Sequence, residues 1–260
     1  MLKKLMKYEF MATSRVFLPL FGALLIISVV NRLFESFNLT TPAVIGVVLS
    51  VIIIIGICVL TLILTLQRFR NNLLSNEGYL MMTLPVKTDS LILSKLFVAS
   101  IWGVASFIIV MVAIMIMAMS GINFSDLVEY VRVFFEQIAL PTPQFIVYAV
   151  EVLVGTILSI FSGILLLYAC MALSMLVNRR RGLFTFGAYI VITTAMQTIF
   201  AVLAAIVAAL HIGDLFNYSS LSFFAQSQVI IILVIVAEAA LCAAFYYVTR
   251  HMLKNRLNLQ

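Results

Sequence analysis

Two long stretches without a charged residue, Ala43 to Leu66 and Leu96 to Asn123, flank a polar segment, Gln67 to Ser90. At about 1.5 Å of rise per helical residue, each is long enough to cross a hydrocarbon layer of about 30 Å. The polar segment between them therefore sits in water at one membrane face. Four further apolar runs complete the pattern, giving spans at about 16–34, 43–66, 91–119, 145–177, 183–210 and 229–249. The expected fold is an all-α membrane protein with six transmembrane helices in a single transmembrane domain, 1–260. A chain that is 64% hydrophobic and only 10% charged is far outside the range of soluble domains, and the spans and their loops leave no room for a separate one.

The net charge of +6 follows topology. Lys3, Lys4, Lys7 and Arg15 precede the first span, and Arg68, Arg70, Lys87 and Lys95 flank the polar hinge. Arg179, Arg180 and Arg181 follow the fourth span, and Arg250, Lys254 and Arg256 end the chain. Only Arg32 and Arg132 fall on the other side. The positive-inside rule thus predicts a cytoplasmic hinge and two cytoplasmic termini. Most acids lie toward the outer side (Glu35, Asp126, Glu129, Glu136, Glu151, Asp214), against Glu9, Glu77 and Asp89 inside. The basic balance reflects orientation and anionic membrane lipid, and no nucleic acid is implied. Cys58, Cys170 and Cys242 lie in apolar runs and suggest neither a disulfide framework nor a metal site. No cleavable signal is evident, and the first run is expected to remain as a span.

Met1 to Arg15 places Leu2, Leu5, Met6 and Phe10 on one helical face and its lysines on the other, predicting an amino-terminal interfacial helix, 1–15. Between spans three and four, Ser125 to Ile138 alternates Leu127, Val128, Val131, Phe134, Phe135 and Ile138 with Asp126, Glu129, Arg132 and Glu136. That spacing predicts an external amphipathic helix. In the fourth run Gly155, Ser159 and Gly163 follow Glu151 at intervals of four, a small-residue stripe suited to close helix packing. Helix rise puts Glu151 near the outer surface. Gln197 in the fifth span and Glu238 at the centre of the sixth lie at similar depths on neighbouring antiparallel helices, so they can form an interhelical polar pair. A carboxyl at mid-membrane is costly unless paired or protonated, and two roles stay open for Glu238: holding helices together, or lining a substrate path.

Within the hinge, Tyr79, Leu80, Met81, Met82 and Leu84 form an apolar patch between Glu77-Gly78 and Pro85. Exposed apolar side chains in a charged loop need burial in the headgroup layer or against another protein. The string RFRNNLLSNEGYLMMTLPVKTDSLILSK, together with the amino-terminal MLKKLMKYEF, resembles the membrane subunit of bacterial ATP-binding-cassette (ABC) exporters, the type-two ABC permeases. The resemblance implies a cytoplasmic coupling helix between spans two and three, with Glu77, Gly78, Tyr79, Leu80, Leu84 and Pro85 contacting a cytoplasmic ABC ATPase subunit. It also implies a second permease copy or homologue and a place in the bacterial cytoplasmic membrane.

No G-x-x-x-x-G-K-[ST] occurs, so ATP and its Mg ion would be bound by the partner ATPase and no cofactor by this chain. H-E-x-x-H and G-x-S-x-G are also absent, and nothing in the sequence suggests an enzyme or a metal site. The leading expectation is a permease subunit coupling a partner's ATP hydrolysis to export of an amphipathic or hydrophobic substrate such as a peptide, lipid or drug. Two other classes remain: a proton-coupled secondary transporter or channel using Glu238, and a non-transporting membrane scaffold or sensor.

Overall fold

A computed structural model describes residues 2–37, 39–71, 88–118, 129, 132–133, 143–177, 181–209 and 223–255. Its elements, among these residues, are six long helices: α1 (Leu2–Ser36), α2 (Thr40–Phe69), α3 (Thr88–Ala118), α4 (Pro143–Ser174), α5 (Arg181–Ala209) and α6 (Phe223–Asn255). All six are long and apolar enough to cross a membrane. The chain is therefore built as a multi-pass membrane protein, and no strand occurs among the described residues.

Helix ends follow local chemistry. Pro143 opens α4, where its missing N–H costs nothing, and Asp89 supplies an acid to the first turn of α3. At the end of α1 the Leu39 N–H donates to the Phe34 carbonyl at 2.9 Å, spanning five residues as in the closing turn of many helices. The last turn of α4 tightens through three bonds of shorter reach, Met175 to Ala172, Leu176 to Leu173 and Val177 to Ser174. Buried hydroxyls turn back onto their own helices: Ser28 donates to Leu24 O, Ser50 to Gly46 O and Thr249 to Phe245 O. In a medium without water this removes the cost of an unpaired hydroxyl.

The interfacial helix expected at 1–15 is not a separate element. It is continuous with the first span in α1, whose 35 residues reach about 52 Å, well beyond a hydrocarbon core. Pro19 lies inside this helix and deprives the Arg15 carbonyl of its usual donor. Of the external amphipathic segment only residues 129, 132 and 133 are described, all helical.

The chain divides into two compact units. The first comprises Met1–Phe69 and Asp89–Pro141, the second Arg70–Thr88 and Thr142–Gln260. In the first unit α1, α2 and α3 run up, down and up. Asn31 near the end of α1 presses on Gly46 near the start of α2, while Glu9 near the start of α1 reaches Arg68 at the end of α2. Phe17, Phe21, Leu24, Ile57, Val98, Trp102 and Ala113 form the buried core of this unit.

In the second unit α6 and α5 both pack on α4. Tyr148 meets Ser227, Glu151 meets Gln228, Gly155 meets Ile235 and Ser162 meets Glu238, so numbers rise together and α4 and α6 are parallel. Along α4 the seam passes through Tyr148, Gly155 and Ser162, with fully buried Ala169 next in the series. Along α6 it passes through Gln228 and Ile235, and the same interval leads on to Cys242 and buried Thr249. A repeat of seven on both helices is the spacing of a left-handed helix pair.

Candidate functional site

The amino-terminal unit holds a buried charge cluster. Glu9 of α1 accepts from Lys95 Nζ of α3 at 2.6 Å through Oε1, and from Arg68 Nη1 of α2 at 3.2 Å through Oε2. The Lys95 side chain is only 4% exposed and that of Glu9 11%, while Arg68 is 29% exposed. Burying an ion costs several kcal/mol on the order of what a partner returns, so a carboxylate between two cations is stable here only because each oxygen has its own donor. Lys95 stands about two turns into α3 and Arg68 next to the last residue of α2. The cluster thus ties α1 to both flanks of the hinge.

Directly behind it stands an aromatic stack. Trp102, two turns beyond Lys95, is stacked with Phe10 at 4.8 Å and Phe17 at 4.9 Å between ring centroids. Two turns of α1 separate these phenylalanines, a rise of about 10.5 Å, close to twice a stacking distance, so the indole lies between them. Phe21 packs at 6.1 Å in a tilted arrangement. The Trp102 indole N–H finds no acceptor among the described residues, so the stack is held by ring contact rather than by a hydrogen bond. A further link, Thr61 Oγ1 to Ser106 Oγ at 3.2 Å, joins α2 to α3.

The carboxy-terminal unit carries a different set of polar groups. Tyr148 is hydrogen-bonded to Ser227, and Gln228 donates to Glu151 at 3.1 Å. Deeper, Ser162 Oγ lies 2.8 Å from Glu238 Oε2 and 3.1 Å from the Ser159 carbonyl. Glu238 stands fifteen residues from one end of α6 and seventeen from the other.

The expected pair of Glu238 with Gln197 is not the one observed. Glu238 bonds to Ser162 of α4, whereas Gln197 is exposed on α5, and no hydrogen bond joins the two among the described residues. Helix rise gives distance along an axis and says nothing about azimuth, and α6 seats its carboxyl-bearing face on α4. The small-residue stripe is met in part. A Cβ on Gly155 would lie 3.9 Å from Ile235, whereas one on Gly163 would meet nothing within 4 Å. Ser159 is exposed, contributing its carbonyl.

Glu77, Gly78, Tyr79, Leu80, Leu84 and Pro85 lie outside the described residues. Glu9 is the site residue that sequence reasoning passed over, counting it only among the inner acids. A signal was present: Glu9 follows Leu5 and Met6 by one turn, on the apolar face of an amphipathic helix where a carboxylate needs a partner. Among the described residues no group of three or more His, Cys, Asp or Glu could hold a metal ion. Compared with known proteins, the chain matches no family model, no curated protein and no solved structure.

Proposed function

We propose that this chain is the membrane subunit of an ATP-driven exporter in the bacterial cytoplasmic membrane, working with a second permease copy or homologue and with cytoplasmic ABC ATPase subunits. The hinge between α2 and α3 is the docking surface, with Tyr79, Leu80 and Leu84 as its apolar contact and Glu77, Gly78 and Pro85 framing it. ATP and Mg are held by the ATPase; this chain is not itself an enzyme.

The observation that carries the reading is the Glu9 cluster. A push delivered to the hinge reaches α2 beside Arg68 and α3 two turns before Lys95, and both cations are bonded to one carboxylate of α1. Ion pairs shielded from water are short and directional, and the Trp102 stack behind them resists sliding, so the three helices move together. A device of this kind suits a protein whose energy source sits outside the membrane. An apolar interior suits an amphipathic or hydrophobic cargo.

The test is mild-detergent purification of the full chain from its native membrane, beside a Tyr79→Ala, Leu80→Ala, Leu84→Ala variant of equal helicity. An ATPase that accompanies the wild type and is lost from the variant supports the assignment. Absence of any ATPase from the wild-type preparation removes it.

A further inference from the structure

The seam between α1 and α2 carries a polar station toward each end. Glu9 of α1 reaches Arg68 of α2, and Asn31 of α1 presses on Gly46 of α2. Twenty-two residues separate the stations on either helix, so one register holds along the pair. By helix rise the stations stand about 33 Å apart, close to the thickness of a hydrocarbon core. Phe17, Phe21, Leu24 and Ile57, all of the buried core, fall between them. Each station therefore lies where the apolar layer gives way to water.

The Glu9 station is complete, since each carboxylate oxygen has its own donor. The Asn31 station is not. Among the described residues four buried side-chain atoms lack a hydrogen-bond partner, and three of them, Asn31 Nδ2, Asn31 Oδ1 and Glu35 Oε2, belong to residues one turn apart on α1. The fourth, Trp102 Nε1, is enclosed by the aromatic stack. Ser28 and Ser50, the fully buried hydroxyls one turn from Asn31 and Gly46, donate to their own helices. Asn31 is fully buried, and its amide fits the notch left by Gly46, where an added Cβ would run into Oδ1, Cγ and Cβ. Swinging the amide over to bond Glu35 directly would break that fit. An unmade hydrogen bond destabilises a buried amide or carboxyl whether or not the carboxyl is charged.

The unmade bonds select the ligand. Asn31 Nδ2 is a donor and Glu35 Oε2 an acceptor. A cation suits the oxygen but not the N–H, and an anion the reverse. A molecule that both donates and accepts suits the two together, and the full burial of Asn31 limits it to the smallest such molecule. We propose that Asn31 and Glu35 form a binding site for one water molecule, which accepts from Asn31 Nδ2 and donates to Glu35 Oε2. Asn31 Oδ1 stays over the Gly46 Cα in a weak C–H···O contact. Glu35 is only half-buried, so its side chain can move aside to seat the water and close over it. The water fixes the amide in the Gly46 notch, and α1 and α2 are held by charge at one end and by a water-anchored amide at the other. The inference rests on the α1–α2 seam alone and holds whether or not an ATPase drives the chain.

The experiment is NMR of the full, deuterated chain with 15N-labelled asparagine in lipid nanodiscs, reading magnetisation transfer from water to the side-chain NH2 groups. The Asn31 signal is assigned by its loss in Asn31→Leu, or in Asn31→Ser should Asn31→Leu fail to fold. The wild type should show transfer of dipolar sign at Asn31, as a held water gives, in place of the sign of chemical exchange. Glu35→Ala should lower that transfer by about half or more, with the Asn31 signal still present. A folded wild type with no dipolar transfer at Asn31 would overturn the site. Transfer that Glu35→Ala leaves unchanged would overturn the bridge.

Discussion

The two units solve the same problem, holding helices together in a solvent that offers no hydrophobic drive, with opposite materials. The first uses charge and aromatic bulk: Glu9 between Lys95 and Arg68, and Trp102 between Phe10 and Phe17. The second uses small and hydroxyl residues on a seven-residue seam, with one hydrogen bond at each of three levels. Charge clusters are strong, directional and intolerant of loss, whereas hydroxyl and amide contacts between membrane helices average only about 0.6 kcal/mol and are individually replaceable. The difference teaches where rigidity is needed: at the roots of the hinge.

That contrast is broken first at Glu9. Glu9→Leu leaves Lys95 buried beside Arg68 without its carboxylate and is expected to destabilise the protein by about 3–5 kcal/mol, read from thermal unfolding in detergent. A Glu9→Leu, Lys95→Met double variant should recover much of that loss, and an additive double variant would show that the two residues do not act as a pair. Next comes Trp102→Ala, expected to cost about 3 kcal/mol, at the low end for an aromatic truncation because lipid can fill part of the space. Trp102→Phe, by contrast, removes the unpartnered indole N–H and should lie within about 1 kcal/mol of the wild type.

Glycine substitutions sharpen the comparison further. An added Cβ on Gly46 would lie 2.3 Å from Asn31 Oδ1, and Asn31 is fully buried, so Gly46→Ala forces a shift in α1 and should cost about 1–3 kcal/mol. Gly155→Ala and Gly163→Ala, which meet only ordinary contact or open space, should stay within about 0.5 kcal/mol. A large loss at Gly155 would mean that the carboxy-terminal seam is as tightly specified as the amino-terminal core. Ser162→Ala is likewise small, expected at ~0.6 kcal/mol in stability.

Much of this architecture was legible because hydropathy over eighteen or more residues reports the medium directly. All six spans were readable that way, and so was the seat of Gly155 at a helix contact. Azimuth was not. An interval of four on a helix of 3.6 residues per turn drifts by about 40° per step, so a stripe begun at Gly155 has left the seam by Gly163, and Ser162, seven residues on from Gly155, takes the place. The partner of Glu238 was missed for the same reason. Glu9 meets Arg68 and Lys95 across 59 and 86 residues of sequence, a pairing that no local period encodes. Continuity of the amino-terminal segment with the first span was also hidden, because the lysines of that segment suggested a helix lying on the lipid, and the long helix instead keeps Glu9 at the level of Lys95.

The most direct test of the central claim is a measurement on the assembled complex. ATPase that co-purifies with the wild-type chain should be compared in lipid vesicles, for bound amount and for cargo-stimulated hydrolysis, with the ATPase on a Glu9→Gln variant. The account predicts equal binding in both, since the hinge surface is untouched, and stimulation lost in Glu9→Gln, since α1 no longer follows Arg68 and Lys95. Full stimulation in a correctly folded Glu9→Gln complex, or no ATPase on the wild-type chain at all, would contradict it.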